Sequence, residues 1–469
     1  MYNKLIYLLL LFSVGVQAQL IGVLANQNGG VVPGNIIIND SDLSGGFPGM
    51  VGHGKNAMSP QLPDPYFVIS TSNGTSSGTI YHAINIASGP ATVIFRVGGT
   101  VIYSGSTEQL DTNRSNVYLA GQTAPGGGFG IRNAEIRIDQ DDWIIRHLHH
   151  YGTQDDNEDG IRIQTGGSGD SPTLNDIYIA NNTLAFHGDE NLSIARGDRI
   201  TVVNNVFGDG QPYAVLLEEI NRNITFYQNL FVWNEQRNIR ASTSDNRYEF
   251  LNNKIYGYTP GTEGLHTSYE SWQDIIGNDW ENSTQNSPIR LSEGNTSGSP
   301  DISQTVIYHS DNIYNGVAAV VGSNFSSGTV ATSRQISSDI IPYSSSLTQA
   351  NTLANAGAGN GLPSGVDSYT QKLFDDVSNN VSNDYTNSNF PHPTLASGTP
   401  YADFDEDGLS DDYERSNGGD ITSTNWSDQP TTAIINDGRT LDFSGVSSGL
   451  RPNHGFIFIA DMANDWSNF

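Results

Sequence analysis

The chain has 469 residues, no cysteine, 50 acidic against 21 basic residues, and a formal net charge of -29. That charge excludes a nucleic-acid partner, because phosphate binding needs a basic stripe. The absence of cysteine excludes disulfides, so a large core or bound ions must supply stability. With 51 glycines, the composition favours many short strands and turns over long helices.

Residues 1–18 read as a signal peptide: Lys4 gives a positive start, "LIYLLLLFSVGV" is a short apolar run, and Val16-Gln17-Ala18 fits a small-residue cleavage site. No later stretch is long and apolar enough for a membrane span. The expectation is a secreted or periplasmic monomer with no membrane partner, built from residues 19–400 and a C-terminal segment, 401–469. "SSGTIYHAINIASGPAT" (Ser76 to Thr92) reads as a capping helix and then the first strand, since a solenoid must cover its open end. "SNVYLAGQ" and "DDWIIRHLHH" read as early coils.

Four segments then repeat: "NDIYIANNTLAF", "DRITVVNNVFGD", "RNITFYQNLFVW" and "NRYEFLNNKIYG". Their second asparagines, Asn182, Asn205, Asn229 and Asn253, stand 23, 24 and 24 residues apart. A strand-built repeat of that period implies an all-β, right-handed parallel β-helix with an N-terminal cap. Coils stack about 4.8 Å apart. Ile177, Ile179, Ile200, Val202, Ile224 and Phe226 then point inward, and the asparagines form a buried amide ladder. The Leu-x-x-Leu-x-Leu signature of leucine-rich repeats is absent. Residues 257–300 lack periodicity and read as a long loop or excursion. "QTVIYHSDNIYNG" reads as a later coil, and "QKLFDDVSNN" (Gln371 to Asn380) as a late helix.

The ladder also serves as a ruler. Asp189 lies seven residues past Asn182 and Arg237 eight past Asn229, so both leave the same corner, two coils apart. Asp159, in "DDNEDG", comes from the coil before Asp189, with Asn157 or Glu158 beside it. Clustered Asp159, Asp189 and Glu190 either hold Ca²⁺, which takes six to eight oxygens, or form an ordinary polar surface. Between Arg132 and Arg247 there are ten arginines and no lysine. Guanidinium forks bind carboxylates, whether local ones or those of an acidic polysaccharide. His147 and His149 share a strand face but lack a third placed ligand and read as wall residues; His187 touches substrate or is structural. Trp233 and Tyr213 either stack on sugars or, for Trp233, belong to the core. In "DFDEDGLSDDYE", Asp403, Asp405, Asp407, Asp411 and Glu414 surround Gly408 with an EF-hand-like spacing, a calcium loop or else an acidic linker.

These segments together resemble polysaccharide lyase family 1, the pectate lyases, over roughly residues 45–414. "TVIFRVGGTV" resembles an early strand of the family, and "LAGQTAPGGGFGI" a hallmark of its bacterial members. "GDENLSI" resembles the calcium-binding stretch, and "NITFYQNLFVWNEQRNIR" the strand and loop bearing the catalytic arginine. "LANAGAGNGLPSGVD" resembles the closing segment. The resemblance implies calcium-assisted β-elimination on a uronate polymer. It assigns Arg237 as base, Arg240 as carboxylate holder, and Asp159, Asp189 and Glu190 as calcium ligands. The chain departs from the family pattern at Gln228, where His is frequent, at Ile239, which replaces the proline of Arg-x-Pro-Arg, and at Ser193, in the position of a fourth calcium carboxylate. A substrate-binding lysine expected near "GDGQPYAVLLEE" is absent, leaving Arg196, Arg222 or Tyr213 to substitute. Two other readings remain: a non-catalytic carbohydrate-binding β-helix, and a glycoside hydrolase, which needs paired carboxylates at set separations.

Overall fold

Short β-branched runs broken by single asparagine corners stack here into three sheets of ten, eight and eleven strands, parallel except at one end of the ten-stranded sheet, with a separate three-stranded sheet formed by the terminal segments. The computed structural model describes residues 35–37, 45–47, 50–58, 63–104, 108–153, 158–165, 172–210, 213–242, 245–258, 264–267, 270–283, 288–291, 304–319, 321, 329–362, 364–382, 392–407, 410–417, 419–423, 432–434 and 440–442. The expected signal peptide, Asn157 and the end of the C-terminal segment lie outside them.

The protein is an all-β parallel β-helix, as the repeat implies. In the eleven-stranded sheet, Ile177, Ile200, Ile224 and Tyr248 sit side by side on successive coils. Ile177, Ile179, Ile200, Val202, Ile224 and Phe226 are fully buried in one continuous core. The corner has a backbone cause. Asn181, Asn204, Gln228 and Asn252 hold φ of 54°, 54°, 53° and 49°, the left-handed region that asparagine tolerates best after glycine. Each corner turns the next residue inward. Asn182 Nδ2 donates to Asn205 Oδ1 at 3.0 Å, Asn205 to Asn229 at 3.1 Å, and Asn229 to Asn253 at 3.0 Å. Asn278 and Asn312 extend the ladder at 3.1 and 3.0 Å. Leaving one buried member unpaired costs about 1–3 kcal/mol, so the ladder fixes register coil by coil.

Three expectations are corrected. Residues 257–300 are not one excursion, because strands Leu265–Thr267, Ser271–Ile276, Asp279–Glu281 and Ile289–Leu291 continue all three long sheets. The strand after the single helical turn His82–Ile86 is not the first, because Pro65–Val68 precedes it and pairs with Ala91–Phe95. His147 does not share a strand face with His149: it sits at a left-handed corner, φ 53°, between strands.

After the last coils the chain returns along the outside toward the N-terminal end. Tyr343 contacts Asn252, Asn355 contacts Asn181, Gly359 contacts His147, and Tyr401 contacts Arg96. Helix Ser368–Ser378 buries Tyr369, Leu373 and Val377 against Phe186, Val206 and Trp233. The return segment also passes close to the "APGGG" run. Gly127 N–H donates to Ala396 O at 2.9 Å, and a Cβ on Gly126 (φ 71°) would lie 2.4 Å from the same oxygen.

Candidate active site

The eight-stranded sheet brings the chemistry together at the starts of its strands. Ala134–Ile138, Ile161–Ile163, Glu190–Ala195, Tyr213–Glu218 and Arg240–Ala241 are neighbours, with Ile136, Ile161, Leu192 and Val215 in register. Asp159, Asp189, Tyr213 and Arg237 therefore leave one corner on four successive coils, with Glu135 on the coil before them.

Asp159, Asp189 and Glu190 each place a carboxylate oxygen within 4.8 Å of the others. Asp189 lies in the turn before the strand, so it and Glu190 reach the same cluster instead of facing opposite ways. Asp159 and Glu190 are buried, and Asp159 Oδ1 accepts the Glu190 backbone N–H at 3.0 Å. Ser193 also hydrogen-bonds Asp159, where the family pattern has a fourth carboxylate. Burial, and then the charge of Asp159 and the contact with Asp189, push the Glu190 carboxyl up to about 9. Burial likewise pushes Asp159 up to about 6, against the Ser193 hydrogen bond and Arg162. Crowded, desolvated carboxylates of this kind need a proton or a cation among them. An all-oxygen donor set fits a hard divalent ion such as calcium.

Arg237 is delivered to this cluster. Its Nη1 pairs with Glu190 Oε1, and its guanidinium carbon stacks 3.3 Å from the Tyr213 ring centroid. Its side chain is only 16% exposed and its Nε is buried with no hydrogen-bond partner. Its own backbone is left-handed, φ 52°, which turns the loop back toward the acidic coils. Arg240 opens strand Arg240–Ala241, half-buried, in register with Leu216 and His266.

Other expected residues fall elsewhere. Arg196 is buried at the opposite end of strand Glu190–Ala195, its Nε 2.6 Å from Glu219. Arg222 pairs with Asp245. Trp233 belongs to the core, donating its Nε1–H to Asp376 at 2.8 Å beneath helix Ser368–Ser378. His187 is buried edge-on to His150 with ring centroids 4.8 Å apart.

Glu135 joins the site unannounced. It is fully buried, pairs with Arg137 at 2.7 Å and accepts the Asp159 backbone N–H at 3.3 Å. Burial and nearby Asp159 push its carboxyl up to about 7 despite Arg137. It lies 24 residues before Asp159, one coil period, so the asparagine ruler points to it.

In the C-terminal segment, Asp403, Asp405 and Asp407 also bring oxygens within 4.8 Å of one another. Both carboxylate oxygens of Asp405 are buried with no hydrogen-bond partner. Asp411 opens helix Asp411–Asn417 and its Oδ1 accepts the Phe404 N–H at 2.8 Å, while Glu414 is fully buried on the same helix.

No family model matches the chain. Among curated proteins it is similar to the probable pectate lyase C of Aspergillus fumigatus, 26% identical over 261 residues, covering 53% of this chain and 57% of that protein. The probable pectate lyase C of Aspergillus terreus matches at 26% over 262 residues, with the same coverage. The chain thus spans little more than half the length of the curated relatives it matches. Among solved structures, a Bacillus sp. N165 pectate lyase in complex with trigalacturonate aligns with TM-score 0.47 at 15% identity, covering 66% of this chain and 99% of that one. A Bacillus subtilis pectate lyase aligns with TM-score 0.46 at 13% identity, covering 66% and 96%. The resemblance carried by the sequence motifs is borne out by the curated relatives: the chain is pectate lyase-like.

Proposed function

We propose that the protein is a secreted polysaccharide lyase that cleaves a uronate polymer of the pectate class by calcium-assisted β-elimination. The observation that carries this reading is the meeting of Arg237 with the Asp159–Asp189–Glu190 cluster at one corner of the coil. Asp159, Asp189 and Glu190 would hold a calcium ion, which would supply a Lewis acid toward the carboxylate of a bound uronate and so acidify its C5 proton. Arg237, brought to the acidic cluster and stacked on Tyr213, takes that proton onto a guanidine nitrogen. The electron pair left at C5 forms the C4–C5 double bond. The C4–oxygen bond breaks, and the departing oxygen gains a proton from water. Arg240, at the start of strand Arg240–Ala241, binds a substrate carboxylate through its guanidinium fork. Tyr213 holds the Arg237 plane.

Product chemistry tests the reaction class. With calcium and a panel of uronate polymers, a lyase produces unsaturated ends that absorb in the near ultraviolet, and chelator abolishes the signal. Reducing ends without absorbance would indicate a hydrolase; binding without product would indicate a carbohydrate-binding solenoid.

Asp403, Asp405, Asp407, Asp411 and Glu414 form, in our reading, a second and purely structural calcium loop at the end of the return segment. Asp407→Asn is expected to remove one bound calcium per chain and lower the melting temperature. Unchanged stoichiometry would leave the loop as an acidic linker.

Among the described residues, no helix is long and apolar enough to cross a membrane.

A further inference from the structure

Glu190 serves two neighbours. Its Oε1 pairs with Arg237, and its carboxylate is also one of the three that converge within 4.8 Å. Being 2% exposed, it is desolvated, so the two neighbours compete for one carboxylate in a low-dielectric setting. Arg237 has a second support that does not involve charge exchange, the face of Tyr213.

We propose that Glu190 is a positioning residue whose carboxylate is shared between Arg237 and the cation of the acidic cluster, so that cation binding loosens the Glu190–Arg237 pair and leaves the guanidinium held by Tyr213. The proposal deepens the lyase reading and rests on cation binding at this cluster. Under the proposal the base is freed only where the cation that activates the substrate is already present. The coupling is reciprocal, since a ligand that weakens the pair is bound more tightly when the pair is gone.

The test is calcium titration by calorimetry on the full chain. The binding phase that disappears in Asp159→Asn reports this site and separates it from the C-terminal loop. Arg237→Ala is expected to tighten that phase by about tenfold, within the usual range of coupling between sites. In a Glu190→Gln background the same change is expected to alter affinity by less than about twofold, because the shared group is gone. Terbium replaces calcium wherever the Glu190→Gln variants bind too weakly to titrate. An equal gain in both backgrounds would reduce the effect to repulsion between Arg237 and the cation and overturn the proposal. No gain in either background would overturn it as well. The lack of any Asp159-dependent phase in the wild type would remove the cation reading itself, and the proposal with it.

Discussion

Arg237→Ala is expected to lower the rate of unsaturated-product formation by about 10²–10⁴-fold, the range typical of losing a positioned proton acceptor, while the protein still melts cooperatively. The fold should survive because Arg237 lies in the loop before strand Arg240–Ala241, outside the hydrophobic core. Its backbone carbonyl, which accepts the Val215 N–H at 2.9 Å, is kept by alanine. Locally, Glu190 loses its ion pair and Tyr213 its stacking partner, and a proton or the cation can neutralise the carboxylate. Arg237→Lys is expected to be nearly as inactive. A lysine keeps the charge but lacks the planar fork that both pairs with Glu190 and stacks on Tyr213. A rate within tenfold of wild type in either variant would mean that another group takes the proton.

The second large effect concerns acid. Asp367 caps helix Ser368–Ser378 through the Thr370 N–H at 2.8 Å, and its other oxygen pairs with His149 Nδ1 at 2.7 Å and accepts the Tyr151 hydroxyl. Burial alone would raise its carboxyl, but His149 and these hydrogen bonds outweigh it and hold the group down at about 2. A carboxyl whose folded value lies below its unfolded value binds fewer protons when folded. Its contribution is therefore fully present above the ordinary aspartate value of 3.8 and is lost as pH falls toward about 2. The shift corresponds to about 2 kcal/mol. Asp367→Asn should therefore destabilise the protein at neutral pH and flatten the stability profile between about pH 4 and 2, read by denaturant midpoints. A profile in that window unchanged from wild type would contradict this. The consequence reaches the site, because this helix packs on Phe186, three residues before Asp189.

What was legible in the sequence follows from the physics of a coil. A regular asparagine spacing marks a buried ladder, and the ladder places every corner, so the core, the fold and the meeting of Asp159, Asp189 and Arg237 could be read from residue numbers. Legibility ended where the coil lengthened. Asn253 to Asn278 is 25 residues, but Asn278 to Asn312 is 34, so the equal spacing breaks within residues 257–300, although "QTVIYHSDNIYNG" beyond the break still reads as a coil. Glu135 was missed although it lies one period before Asp159, because a lone glutamate in "AEIRID" looks like the polar face of a strand. Arg196 and Trp233 share the segments of the site residues but not their corners: Arg196 sits past the end of its strand, and Trp233 turns under the return helix. The return segment itself has no repeat. Its contacts, Asp367 with His149, Ala396 with Gly127 and Tyr401 with Arg96, join residues hundreds of positions apart, which no local pattern announces.

A crystal structure of the Arg237→Ala variant with calcium and a uronate oligomer would test the proposed site most directly. We expect a cation about 2.3–2.6 Å from oxygens of Asp159, Asp189 and Glu190, sharing a uronate carboxylate, with the C5 proton of that sugar facing the space vacated by the guanidinium. An oligomer bound along another sheet, or a cluster that holds no cation at saturating calcium, would contradict the lyase account.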